Sequence, residues 1–320
     1  MPVNPKTHLE SANRFLERMF PLLVITGLTL GVTLPGFFVE LRSLVPWFFG
    51  TVTLAGALNL RVRELGSTLT TPRPFLFFFI VVRIFMPALA FALSSFIFRN
   101  NPDIVAGYVL LYAVPVAVTS FIWVTIFKGD AALALTLILL DTILAPIIVP
   151  GTVRLFLGTT IDLDMTGMAL SLTQMIVIPT IVGVILNELS RGKIPAMISP
   201  VLNPFSKVMV LFVMAVNASI VAPQVRVDNP YLWVVIAVCV GFIVLVFIVA
   251  RLVTFAGRFN REKQISFVFV SCMRNTVASL TLAIRYFPEA AALPAILGIL
   301  LQQNAAAILG RVFFGRPRAD

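Results

Sequence analysis

The chain has 320 residues, of which 59% are hydrophobic and 12% charged, and its formal net charge is +10. A soluble domain carries about 25% charged residues and about half apolar ones, so this composition excludes an ordinary soluble protein and implies repeated membrane crossing. No basic patch interleaved with aromatic residues accompanies the positive charge, which argues against nucleic acid as a partner, and Cys239 and Cys272 sit inside apolar runs where neither a disulfide framework nor a metal site is expected.

Residues 1–18 form a polar N-terminal tail that contains the only histidine, His8. Apolar runs of the ~20 residues needed to cross a bilayer follow at about 19–36, 44–60, 74–97, 105–127 and 130–155. Beyond a short polar link at 155–164 they resume at about 165–187, 204–222, 230–256, 264–286 and 290–312, and residues 313–320 make a C-terminal tail. The first run follows Arg14 and Arg18 but lacks a small-residue cleavage site, so it reads as a span and not as a signal peptide.

The basic residues orient these runs. With a cytoplasmic N-terminus, Arg42, Arg99, Arg154, Arg226 and Arg285 fall on the outer side, and the other Lys and Arg residues, Arg83 and Arg274 excepted, fall on the inner side. That bias places both termini in the cytoplasm. The expectation is an all-α integral membrane protein of ten transmembrane helices. Five runs (19–155) followed by five more (165–312) put the second half upside down relative to the first, as two inverted repeats. ILLDTILAPI (138–147) and ILLQQNAAAI (299–308) share a pattern in the last run of each half, aligning Asp141 with Gln302.

Arg83, Asp141 and Arg274 lie near the middle of the third, fifth and ninth runs. A charge at that depth costs roughly 2.5–3.5 kcal/mol on insertion scales, so such residues are buried, paired or on a solute path. Two positive charges against one negative point to a small anion as cargo. The fourth run, YAVPVAVTSFIWVTIF, has Pro115 at mid-helix followed by Thr119 and Ser120. Proline removes a backbone hydrogen bond and frees a carbonyl, which a membrane helix tolerates where protein or a cavity satisfies the freed groups. The ninth run, VSCMRNTVASLT, packs Ser271, Arg274, Asn275, Thr276 and Ser279 into nine residues.

Three stretches carry a resemblance to a known family. VPWFFGTVTLAGALNLRVREL (45–65), PVAVTSFIWVTIFKGDAALALTLILLDTILAPIIVP (115–150), and SCMRNTVASLTLAIRYF (271–287) with LQQNAAAILG (301–310) resemble helices 2, 4–5 and 9–10 of the bile acid:sodium symporter family, within the bile acid, arsenite and auxin-type carrier group. The resemblance implies a panel of helices 1, 2, 6 and 7, a core of helices 3–5 and 8–10, and broken helices 4 and 9 that cross near the midplane. At the positions that hold sodium in coupled members, this chain has Ser120, Phe121, Ala134 and Ile138 for one site and Val270, Arg274 and Val82 for the other. Only Ser120 keeps an oxygen, and a guanidinium offers donors alone. Asn275, Gln303 and Asn304 align with polar positions that face the solute.

The resulting expectation is a secondary carrier of a small organic anion, working by alternating access in the inner (plasma) membrane and not coupled to sodium. Arg274, Asn275, Asn304, Gln303, Thr119 and Ser120 are the substrate candidates. Asp141 is expected to pair with Arg274, with Arg83 as the rival partner, and Asp141 is the one candidate proton carrier at depth. A sodium-dependent symporter, or an efflux permease of the auxin or arsenite type, is the alternative. An intramembrane enzyme is disfavoured because no histidine lies in a run and no carboxylate dyad is present, and no cofactor is expected.

Overall fold

The computed structural model describes residues 13, 15, 16, 19–58, 72–158, 164–222 and 230–315. Most of the two expected tails and much of the link at 155–164 lie outside the described residues. The described residues are helical, with one isolated antiparallel bridge between Val116 and Arg274. In chain order the helices are α1 (Phe20–Thr33), α2 (Pro35–Ala57), α3 (Pro72–Ile97), α4 (Pro102–Ala113), α5 (Ser120–Ile126) and α6 (Ala131–Leu157). They continue as α7 (Met165–Leu189), α8 (Lys193–Val221), α9 (Pro230–Ala256), α10 (Arg261–Cys272), α11 (Thr276–Tyr286) and α12 (Glu289–Phe314).

Seven of these (α2, α3, α6, α7, α8, α9 and α12) are long and apolar enough to cross a membrane. Their outer faces are apolar, with exposed residues such as Leu76, Ile84, Ile147 and Leu252. The fourth expected run is two helices, α4 and α5, and so is the ninth, α10 and α11. The first run is shorter than its apolar stretch. Helix α1 ends at Thr33, where Leu34, ahead of Pro35, leaves the helical region (φ −125°, ψ 51°), and Pro35 opens α2 at the first helical position. The seventh begins earlier than expected, at Lys193, and runs through Pro200 and Pro204 without breaking.

The chain divides into two compact units. Unit 1 is residues 1–63 with 171–223, and therefore holds α1, α2, most of α7, and α8. Its tightest packing is α1 along α8. A Cβ on Gly27 would lie 2.7 Å from the Leu211 carbonyl oxygen, and one on Gly31 would overlap the Ala215 carbonyl. Gly27 and Gly31 make a G-x-x-x-G face, which lets two backbones approach where side chains would hold them apart. Gly183 allows the same closeness between α7 and Ala57 of α2.

Unit 2 is residues 64–170 with 224–320, and holds α3 to α6 and α9 to α12. Gly107 lets α4 press against the Ala291 backbone, and the Tyr108 hydroxyl donates to the Val235 carbonyl at 2.7 Å. Trp123 of α5 and Phe127 at its end stack on Phe269 of α10, with Phe314 of α12 against Phe127 and Phe269. Buried aromatic contacts of this kind contribute about 0.5–1.5 kcal/mol each beyond their area. They fix α5 and α10 beside each other, so the ends of both interrupted helices meet inside one unit.

Candidate functional site

The first interruption spans residues 114–119. Val114, ahead of Pro115, is extended at ψ 156°, as the residue before a proline is driven to be. The end of α4 leaves carbonyls without helical partners, and the Arg83 guanidinium meets one of them: its Nη1 donates to the Ala113 carbonyl at 2.5 Å. The freed Val116 N–H donates to Asp141 Oδ2 at 2.8 Å.

The second interruption, residues 273–275, contains no proline. Met273 is extended (φ −91°, ψ 108°), and the two unwound segments pair with each other. Ala117 N–H donates to the Met273 carbonyl at 2.8 Å, and Asn275 N–H donates to the Pro115 carbonyl at 2.9 Å. Gln302 of α12 then clamps the Arg274 backbone. Its Oε1 accepts the Arg274 N–H at 2.8 Å, and its Nε2 donates to the Arg274 carbonyl at 3.0 Å. Asp141 and Gln302 therefore hold equivalent points of the two interruptions, one with a carboxylate and one with a neutral amide.

The charged residues are arranged differently from the expected pairing. Asp141 pairs with Arg83 and not with Arg274. Arg83 Nη2 lies 2.5 Å from Asp141 Oδ1, its Nε donates to the same oxygen at 2.6 Å, and both side chains are buried. The reason lies in α3, whose residues Ile80–Phe85 are wound as a π-helix around Arg83. From there the guanidinium reaches both α6 and the end of α4. With Oδ1 held by Arg83 and Oδ2 by Val116, Asp141 has no oxygen left over, so a role as proton carrier would require breaking this set.

Arg274 is 1% exposed. Its Nη2 reaches the Val82 carbonyl at 3.4 Å and Met86 Sδ at 2.9 Å, and its guanidinium carbon lies 5.9 Å from the Tyr112 ring centre. Its Nε and Nη1 have no partner. Seven buried side-chain polar atoms lack a partner among the described residues, and five of them belong to Ser120, Ser271, Arg274 and Ser279. Polar groups without partners thus concentrate at the two interruptions.

The remaining candidates separate by exposure. Ser120 is buried, whereas Thr119, Gln303 and Asn304 are exposed and Asn275 is half-buried. Gln303 Oε1 accepts from the Trp123 indole at 2.8 Å, which ties α12 to α5. Asn304 Nδ2 donates to the Leu300 carbonyl in its own helix, and Asn275 caps α11 by accepting the Ala278 N–H at 3.2 Å. Gln302, the Val82 carbonyl and Met86 were absent from the sequence-based site. For Gln302 the signal was present in the alignment of the two ILL motifs. Val82 entered the sequence reading only as an aligned sodium-site position whose side chain lacks an oxygen, and Met86 gave no signal, because a π-helix leaves no mark on an apolar run. Among the described residues, no three His, Cys, Asp or Glu side chains gather as a metal site.

Comparison with known proteins adds an independent line. The profile of the Sodium Bile acid symporter family matches residues 48–228, a stretch that includes Arg83, Thr119, Ser120 and Asp141 and stops short of Arg274. The chain is 36% identical over 292 residues to the uncharacterized protein YbaS of Bacillus subtilis (strain 168), covering 91% of this chain and 95% of that one. It is 24% identical to the uncharacterized sodium-dependent transporter YocS of the same organism, over 58% of each chain. It is also 27% identical to the probable sodium/metabolite cotransporter BASS2, chloroplastic, of Oryza sativa subsp. japonica, over 56% of this chain and 43% of that protein.

Proposed function

The chain belongs to the sodium bile acid symporter family, a family of membrane transporters and not of enzymes, and we propose that it carries a small organic anion by alternating access without coupling to sodium. The observation that carries this reading is the charge at the two interruptions: Arg83 and Arg274 against Asp141, all buried, leave one positive charge in excess. A low-dielectric interior strengthens the pull of such a charge on an approaching anion. The exposed Gln303 and Asn304 amides, with half-buried Asn275 and exposed Thr119, supply donors that suit a carboxylate or a hydroxyl.

In this reading the ten runs cross as two inverted five-helix repeats in a plasma membrane, with both termini cytoplasmic. Unit 1 acts as a panel and unit 2 as the core that binds solute. Sodium independence follows from the donor set. Sodium needs several hard oxygen ligands, and Val82, Phe121, Ala134, Ile138 and Val270 have none in their side chains, while Arg274 brings its own cation. Proton drive, exchange and facilitated diffusion remain as modes of turnover, in uptake or in efflux.

The second reading, sodium-dependent symport, is favoured by the names that the relatives carry. Counterflow in proteoliposomes with a panel of small organic anions separates the two. The expected result is accumulation of a labelled anion that is unchanged when Na⁺ replaces K⁺. A clear rise with sodium would establish the second reading, and no counterflow of any organic anion would remove the first.

A further inference from the structure

We propose that Arg274 holds a small monovalent anion of halide size inside unit 2, at a site separate from the exposed amides assigned above to the organic solute. A guanidinium is always protonated and carries five N–H donors. At 1% exposure Arg274 is cut off from solvent, and its contacts occupy only Nη2, with a carbonyl and a thioether. Nε and Nη1 hold three more N–H groups with no acceptor. An unpaired ionised group in such a place costs several kcal/mol, far more than a missing neutral hydrogen bond.

Among the described residues, no acidic side chain forms an ion pair or hydrogen bond with the Arg274 guanidinium. Asp141, the one acidic residue buried in unit 2 among the described residues, spends both oxygens on Arg83 and Val116. The other described acids of unit 2 (Asp103, Asp130, Asp164, Glu262 and Glu289) are half-buried or exposed. The Tyr112 ring offers only the weak attraction of a π-face at 5.9 Å. Close by in the chain, the buried Ser271 and Ser279 hydroxyls lack partners, whereas the N-terminus of α11 is already capped by Asn275. Hydroxyls are donors to anions. Every group without a partner in this stretch can therefore donate to a negative charge. An organic acid would have to bury its tail with its carboxylate, so the burial of Arg274 favours a compact ion there; with that ion bound the excess charge is balanced, and the organic solute is held by the exposed donors.

The test uses the purified full-length chain in detergent at constant ionic strength. Its melting temperature is measured in sodium chloride, sodium bromide and sodium gluconate. A saturable rise of about 2–5 °C is expected with chloride or bromide over gluconate, and the rise should be lost in Arg274→Gln. Equal melting in all three salts, or a halide effect that survives in Arg274→Gln, overturns the proposal. Should Arg274→Gln fail to fold, crystals of the unaltered protein in bromide decide: an anomalous peak within hydrogen-bond reach of Arg274 Nε or Nη1 supports the site, and no peak there at saturating bromide overturns it. Organic anions that raise the melting temperature are then titrated against bromide. Additive effects support two sites. Mutual exclusion would mean that Arg274 binds the solute directly, which would sink the separate site and leave the carrier reading intact.

Discussion

At the scale of single residues, the Arg83–Asp141 pair has the largest consequence for stability. Removing one partner of a buried pair typically costs about 3–5 kcal/mol, because the other charge is left uncompensated, whereas replacing both with apolar residues is often close to neutral. Asp141→Asn and Arg83→Met should each lower stability by that order, and the Arg83→Met, Asp141→Leu double variant should recover most of it. The same cycle run with Arg274 should show clearly weaker coupling to Asp141, which makes its direct ion pair with Arg83. Denaturation in detergent measures all three, and strong coupling between Asp141 and Arg274 would contradict the pairing seen here. Asp141 also accepts the Val116 N–H, so even the double variant leaves one unwound backbone donor without its acceptor. Recovery should therefore be incomplete by about 1–3 kcal/mol.

At the scale of elements, two breaks that look alike are maintained by different means. Pro115 announces the first in the sequence, but the structure holds it open with Arg83 on the Ala113 carbonyl and Asp141 on the Val116 N–H. Pro115→Ala should thus leave α4 and α5 separate. Hydrogen exchange at residues 114–119 checks this, and slow exchange typical of a continuous helix would show that the proline alone makes the break. The close seam of α1 on α8 makes a second prediction. Gly31→Leu has no room beside the Ala215 carbonyl, so α1 must shift, at a cost of about 1–3 kcal/mol or more, read as a lower melting temperature. The depth of the three charges, the break at Pro115 and the polar cluster at 271–279 were legible because they interrupt an apolar pattern. The partner of Asp141 was not legible, since hydropathy treats Arg83 and Arg274 alike and only the π-turn in α3 aims one of them at α6. The start of α8 was misplaced because residues 191–203 do not form a continuous apolar run, yet the helix begins at Lys193 and runs through Pro200 and Pro204.

At the scale of the whole molecule, each unit is assembled from both halves of the chain, so neither half can complete a unit alone. The same interleaving governs how the protein is made. Arg83 and Asp141 are 58 residues apart, a gap of ~3–12 s at synthesis rates of ~5–20 residues per second. Through that interval α3 sits in the bilayer with a lone arginine, at a cost of roughly 2.5–3.5 kcal/mol. The phenylalanine-rich sequence around it, PFLFFFIVVRIF, is apolar enough to retain it until α6 arrives. Nascent chains halted before residue 131 should therefore hold α3 less firmly than chains halted after residue 157, as read by extraction of ribosome-bound intermediates from membranes. In Asp141→Asn the rescue never comes. Its defect should then appear in pulse–chase labelling as early loss of newly made protein, before any question of transport arises.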